Sequence, residues 1–251
     1  MELNQDVGLF YIGRLNPPHI GHLSIIEKML IYANDRNISN IYVLLSHTHF
    51  PKKDPQKNPL PCNLKKEFLQ KMVDSKFGNH ENYKHININL ICLDDQKLLT
   101  PEGKPTSFLG AIKYVLSEHH YNNVIIFLGE DRATAFGYIQ KNLNGDGINV
   151  DFEITERPED AVSATKIRGY VFEKDKDGFV EEMIQTGLNP EQAEELFEHI
   201  KSQLRIKEFI GGKRIKRKTY KKSKRRKTKK HKKCKKSKKC KSKKTKRFHR
   251  N

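Results

Sequence analysis

Two short segments of the chain combine histidine, hydroxyl and arginine side chains with predicted helix starts, a pattern suited to binding phosphate. The first is residues 13–22, GRLNPPHIGH, where a buried strand runs into a turn and then a helix. His19 and His22 are three residues apart and share one face of the helix start, and Gly21 between them lets a ligand approach the backbone. Arg14 adds a permanent positive charge. Because a helix N-terminus offers N–H groups and positive potential, this segment is predicted to bind an anion, with phosphate favoured; the alternative is a proline turn with two surface histidines.

The second segment is residues 162–168, VSATKIR, which begins a later predicted helix. Ser163 can cap this helix, Thr165 lies in its first turn, and Arg168 follows one turn later on the same face. Hydroxyls, backbone N–H groups and a guanidinium fork together suit a phosphate chain. Taken alone, the same pattern is also typical of an ordinary capped helix.

These segments need a scaffold that positions them, and predicted strands and helices alternate at least four times along the chain. Continuous apolar runs such as VGLFYIG and NVIIFLG are typical of strands buried on both faces of a parallel sheet. The alternation predicts an α/β, Rossmann-like fold, a doubly wound parallel sheet with C-terminal helices, whose ligands bind beyond the carboxyl ends of the strands. The predicted strands are 7–13, 40–46, 88–93, 123–129 and 150–156; the predicted helices are 64–73, 107–118, 132–141 and 189–205, with others after residues 22 and 163.

The charge of the chain is concentrated at its C-terminal end. Of the 49 lysines and arginines in 251 residues, 25 lie between residues 213 and 251, where there is no Asp or Glu, so the net charge of +19 reflects this tail and the body is mildly acidic. We therefore predict a sheet domain over 1–172, a helical extension over 173–210 and a disordered Lys/Arg-rich tail over 211–251. Such a tail is expected to bind nucleic acid or another polyanion nonspecifically.

Several classes of protein are disfavoured by what the sequence lacks. No apolar run reaches the length of a transmembrane helix, and the N-terminus does not resemble a secretory signal. Four cysteines are too few and too scattered to predict a disulfide framework, so a reducing intracellular compartment, cytoplasmic or nuclear, is expected. Cys234 and Cys240 do not have zinc-finger spacing, and we predict no metal site there.

Taken together, H-I-G-H at 19–22 and S-A-T-K-I-R at 163–168 resemble the paired motifs of the HxGH nucleotidyltransferase superfamily. The resemblance covers roughly residues 7–172. Three further features are similar to the family: Arg157, six residues before the second motif; the G-E-D-R turn at 129–132, with Glu in place of the usual Ser; and N-P-L at 58–60, after which lysines replace the usual arginine.

The resemblance implies that residues 1–172 transfer a nucleoside monophosphate. An acceptor phosphate would attack the α-phosphorus of a nucleoside triphosphate, and pyrophosphate would leave, so catalysis would consist of positioning and charge stabilisation. Mg²⁺ would arrive with the triphosphate, held mainly by phosphate oxygens and water, and no metal-binding residue is predicted. The implied catalytic residues are His19, His22 and Arg168; the implied nucleotide-binding residues are Gly13, Arg14, Gly21, Gly129, Asp131, Arg157, Ser163 and Thr165.

Within the superfamily, G-R-x-N-P-P-H-x-G-H followed by S-A-T-K-I-R is most similar to nicotinamide mononucleotide adenylyltransferases, which implies ATP as donor and a phosphorylated small molecule as acceptor. Cytidylyltransferases and phosphopantetheine adenylyltransferases remain alternatives, as does a catalytically inactive nucleotide-binding protein tethered to nucleic acid by its tail. Class I aminoacyl-tRNA synthetases also carry H-I-G-H, but their K-M-S-K-S loop is not seen. The basic tail after Gly-Gly-Lys-Arg resembles extensions on some large DNA-virus proteins. The sequence does not indicate an oligomeric state.

Overall fold

The computed structural model describes residues 6–48, 56–129, 132–155 and 162–210, and their centre is a five-stranded sheet. All neighbouring strands are parallel, in the order β3-β2-β1-β4-β5. The chain therefore builds outward from β1 in one direction through β2 and β3, and in the other through β4 and β5. This is the predicted α/β, Rossmann-like architecture, and the point where the strand order reverses lies between β1 and β4. The strands are β1 Val7–Gly13, β2 Asn40–Leu45, β3 Asn87–Cys92, β4 Asn123–Gly129 and β5 Asn149–Thr155.

Seven helices cover the two faces of the sheet within the described residues. One core contains Leu9 and Val43 from the sheet together with side chains of α1, α2, α5, α6 and α7. The opposite core contains Phe10 and Ile126 together with side chains of α3 and α4. The alternation of neighbouring side chains to opposite faces of β1 thus supplies both layers. The helices are α1 Ile20–Asp35, α2 Cys62–Phe77, α3 Phe108–His119, α4 Ala133–Gly145, α5 Ala164–Glu173, α6 Lys176–Ile184 and α7 Pro190–Ile210.

The C-terminal helices α5, α6 and α7 complete the core on the face of the sheet that α1 and α2 cover. The helix predicted over residues 189–205 buries its apolar side chains: Ala193, Leu196, Phe197 and Ile200 lie in the same cluster as the side chains of α1. The helical region predicted to begin at residue 163 is two helices, because Lys174 adopts a left-handed φ of 63° that ends α5. No described helix is both long enough and apolar enough to cross a bilayer.

The expectation about cysteines needs a correction, because Cys62 and Cys92 form a disulfide. Cys62 is the first residue of α2 and Cys92 is the last residue of β3. Their Cα atoms lie 5.9 Å apart although 30 positions separate them in sequence. The spacing of the four cysteines does not reveal this pair, since only the packing of α2 beside β3 brings the two sulfurs together.

Candidate active site

The loop that follows β1 has a backbone shape that depends on small and constrained residues. Gly13 ends β1, and a Cβ there would overlap Cδ1 of the Leu15 side chain. Leu15 itself adopts a left-handed φ of 46°, and the Asn16–Pro17 peptide bond is cis. The loop then turns into α1 at His19, at the carboxyl end of the central strand where a Rossmann-like sheet places its ligands.

His19 and His22 cap α1 reciprocally. Nδ1 of His19 accepts a hydrogen bond from the Gly21 backbone N–H, and Nδ1 of His22 accepts one from the His19 backbone N–H, each at 3.1 Å. The ring centroids are 3.8 Å apart. Because Nδ1 is an acceptor in both rings, the neutral imidazole carries its hydrogen on Nε2, which makes Nε2 a donor suited to a phosphate oxygen. Gly21 favours this arrangement, because an added Cβ would lie 3.1 Å from Cε1 of His19 and would press on that ring.

The two segments predicted to bind phosphate meet in the structure. Nη1 of Arg168 donates a 2.6 Å hydrogen bond to the backbone carbonyl of Asn16, across 152 positions. A Cβ on Gly21 would lie 3.6 Å from the Val162 carbonyl oxygen, so the start of α1 also approaches the residue before the α5 cap. The N-terminal ends of α1 and α5 are therefore neighbours, and neither has an acidic residue in its first turn. Their partial positive charges favour an anion between them.

The start of α5 has the geometry of a capped helix with hydroxyls at its tip. Oγ of Ser163 accepts a 3.0 Å hydrogen bond from the Lys166 backbone N–H. Nη2 of Arg168 donates to Oγ1 of Thr165 at 3.1 Å. Thr165 is exposed whereas Arg168 is buried, so the guanidinium both ties the loop of Asn16 to α5 and lies behind the exposed hydroxyl.

Asn16 is a structural residue of the site that sequence reasoning missed. Its buried side chain donates to the Leu60 carbonyl at 2.9 Å and accepts from the Leu60 N–H at 3.0 Å. The same residue thus joins the loop after β1, the segment before α2 and, through its carbonyl, Arg168. The sequence singles out N-P-L at 58–60, but nothing in it pairs Leu60 with Asn16.

Lys65 is a second residue that the sequence did not predict to matter. It is fully buried in α2, and its Nζ donates to the backbone carbonyls of Arg14, at 3.0 Å, and of Ser46. It therefore clamps the carboxyl ends of β1 and β2 together. Burial lowers the pKa of this ammonium from 10.5 to about 8, because desolvation disfavours its charged form. The sequence signal for its burial was its position, since Lys65 lies three residues before Phe68 on the apolar face of α2.

The remaining predicted residues are placed as follows. Arg14 is exposed at the end of β1, and Gly129 ends β4, the strand beside β1. Asp131 and Arg157 lie outside the described residues, as does the tail from 211.

The chemistry of the described donors does not fit a protein-built magnesium cage. The described residues contain one group of three potential metal-ligating side chains, Cys62, Cys92 and Asp94, and thiols are poor ligands for Mg²⁺. Around the starts of α1 and α5 the donors are imidazoles, hydroxyls and N–H groups.

The strand order and helix placement define the chain as an α/β protein with a Rossmann-like fold. No protein-family model and no curated protein matches it. The chain is similar to the "Putative Nicotinate-nucleotide Adenylyltransferase" of Vibrio parahaemolyticus, with a TM-score of 0.49, 16% identity, and coverage of 76% of this chain and 98% of that one. It is also similar to pantothenate synthetase from Thermus thermophilus, with a TM-score of 0.39, 16% identity, and coverage of 81% and 78%. The fold assignment rests on the observed strand order.

Proposed function

We propose that the protein is a nucleotidyltransferase that transfers AMP from ATP to a phosphorylated small molecule and releases pyrophosphate, with nicotinamide mononucleotide as the first acceptor to test. The observation that carries the proposal is the reciprocal cap of His19 and His22, which fixes two imidazoles 3.8 Å apart with Nδ1 of each engaged by the backbone. The sequence resemblance to adenylyltransferases supports the choice of ATP.

The reaction needs no nucleophile from the protein. An oxygen of the acceptor phosphate forms a bond to the α-phosphorus, the bond from that phosphorus to the bridging oxygen of the β-phosphate breaks, and the electron pair leaves with pyrophosphate. Nε2–H groups of His19 and His22 would donate to the oxygens whose charge grows at the α-phosphate. The start of α5, with Ser163 and Thr165, would hold the β- and γ-phosphates, and Arg14 would neutralise the departing pyrophosphate. Mg²⁺ arriving with the triphosphate, held by phosphate oxygens and water, would supply further charge neutralisation.

Pyrophosphate release tests this function directly. The full chain is incubated with each of four nucleoside triphosphates and with acceptors that include nicotinamide mononucleotide and 4′-phosphopantetheine. Release with ATP and nicotinamide mononucleotide is the expected result. Release with CTP alone would make the protein a cytidylyltransferase. ATP binding without any release would identify an inactive nucleotide-binding protein.

A variant of His22 tests whether this site does the chemistry. His22→Ala is expected to lower kcat by about 10²–10³, the effect of losing one preorganised donor to the transition state. The matched control is His85→Ala, because His85 is exposed and precedes β3 at the amino ends of the strands, whereas the candidate site lies at their carboxyl ends. Equal turnover by His22→Ala and the control would remove His22 from the proposed mechanism.

For the Lys/Arg-rich tail we propose nonspecific binding to a polyanion such as DNA or RNA. The support is its composition, 25 basic and no acidic residues between 213 and 251, with few aromatic residues for base stacking. Affinity of the full chain for random-sequence DNA is expected to fall by about 10³ or more between about 50 and 200 mM salt. An affinity independent of salt would contradict this proposal.

A further inference from the structure

The Cys62–Cys92 disulfide joins the start of α2 to the end of β3. It therefore lies at the carboxyl ends of the strands, as the candidate active site does. Both cysteines are buried, yet both line a cavity of about 810 Å³ formed by described residues, together with Lys66, Gln70 and Asp94. A small dithiol could therefore reach the sulfur atoms from the cavity. The Cα separation of 5.9 Å lies within the range that allows a disulfide to form without backbone movement.

The two cysteines occupy different electrostatic environments. Cys62 is the first residue of α2, whose first turn has no acidic side chain, and a helix N-terminus stabilises a thiolate. Its Sγ lies 3.6 Å from the Leu45 carbonyl oxygen, an acceptor for the thiol hydrogen once the pair is reduced. The carboxylate of Asp94 lies within 4.8 Å of both sulfurs and does not distinguish them. The start of α2 therefore favours Cys62 as the leaving sulfur.

From this arrangement we propose that Cys62 and Cys92 form a thiol–disulfide exchange site whose co-substrates are dithiol reductants. A thiolate of the dithiol attacks Sγ of Cys92, the bond between the two protein sulfurs breaks, and the Cys62 thiolate leaves. The second thiol of the reductant then displaces Cys92 and closes the reductant's own disulfide. Two electrons and two protons pass to the protein, which ends with two thiols.

The exchange site is connected to the loop that carries the histidines. Leu60, two residues before Cys62, exchanges two hydrogen bonds with Asn16, and the carbonyl of Asn16 accepts from Arg168. The disulfide fixes the segment that contains Leu60 to the end of β3. Its opening removes that covalent restraint, so the Leu60–Asn16 pair opens more often. Reduction thereby loosens the loop between Gly13 and His19. The consequence of this loosening for catalysis rests on the proposed function.

Hydrogen exchange and thiol counting test the site without any turnover. The full chain carrying Cys234→Ser and Cys240→Ser, so that two cysteines remain, is titrated with dithiothreitol and alkylated for mass spectrometry. We expect two thiols to appear together, and the protection of the Leu60 amide to fall by about tenfold, while the Ile126 amide in β4 is unchanged. Adding Cys62→Ser and Cys92→Ser should reproduce the lower protection without reductant.

Three results would overturn the proposal. The first is a pair that dithiothreitol does not reduce in the folded chain, and the second is reduction that leaves the Leu60 amide as protected as before. The third is one Zn²⁺ bound per reduced chain and lost in Asp94→Asn, which would make the three side chains a metal site. Because no readout requires pyrophosphate release, these results are independent of whether the nucleotidyl transfer itself is found.

Discussion

Replacing Lys65 by methionine should reveal a pH-dependent contribution to stability that follows from its burial. Methionine follows the lysine side chain as far as Cε and removes the ammonium that bonds to the carbonyls of Arg14 and Ser46. Burial lowers the pKa of Lys65 to about 8, whereas 10.5 is its ordinary value. Between these two pH values the unfolded chain binds a proton at this site and the folded chain does not. The folded state is thus penalised below about pH 8, and stability rises as the pH increases toward 10.5.

The size of this effect follows from the two pKa values. Between pH 7 and pH 9.5 the free energy of unfolding of the wild type should rise by about 2 kcal/mol relative to Lys65→Met, and the full shift corresponds to about 3 kcal/mol. The neutral amine of Lys65 in the wild type still donates hydrogen bonds. Lys65→Met therefore lacks these hydrogen bonds at every pH in this range, and their loss does not change with pH. The difference between the two proteins therefore isolates the titration.

Urea unfolding followed by circular dichroism at pH 7.0, 8.0, 9.0 and 9.5 measures this difference. Lys66→Met, at the half-buried neighbouring position, is the matched control. A difference between wild type and Lys65→Met that stays constant, or falls, as the pH rises would refute the reasoning. The same pH dependence in the control pair would show that the signal does not belong to Lys65.

Three further substitutions test the site from different directions. Gly21→Ala places a Cβ 3.1 Å from the His19 ring and should lower kcat about tenfold by displacing that ring. The control is Gly137→Ala, whose added Cβ would have no described atom within 4 Å and which should leave kcat unchanged. Pyrophosphate release measures kcat for both variants. Asn16→Ala leaves both backbone groups of Leu60 unpaired in a buried position and should destabilise the fold by roughly 2–5 kcal/mol in urea unfolding. Ser163→Ala removes the cap of α5 and should cost about 1 kcal/mol in the same assay, and an unchanged midpoint would show that the cap contributes nothing.

The sheet could be predicted because its signal is local. The apolar runs at 7–13 and 123–129 are β1 and β4, and the other strands end within one residue of their predicted bounds. Helix ends were less well predicted: α2 begins at Cys62 and ends at Phe77, longer than the predicted 64–73. Packing against β2 and β3 extends that helix beyond its clearest apolar periodicity.

The two helix starts that form the candidate site were found from residue types, but the particular contacts that hold them in place were not. The bond from Arg168 to the Asn16 carbonyl, the pairing of Asn16 with Leu60 and the Cys62–Cys92 disulfide all join positions at least 30 residues apart. Such contacts depend on how strands and helices pack, which a single sequence does not encode as a spacing. The roles of Asp131 and Arg157 remain predictions.

The central claim is that the starts of α1 and α5 bind a single triphosphate. The most direct test is a crystal structure of the full chain with Mg²⁺ and α,β-methylene-ATP, whose α–β linkage cannot be cleaved. We expect phosphate oxygens within hydrogen-bond distance of Nε2 of His19 and His22, with the terminal phosphates at Ser163 and Thr165. A triphosphate bound elsewhere, with both imidazoles out of contact, would contradict it.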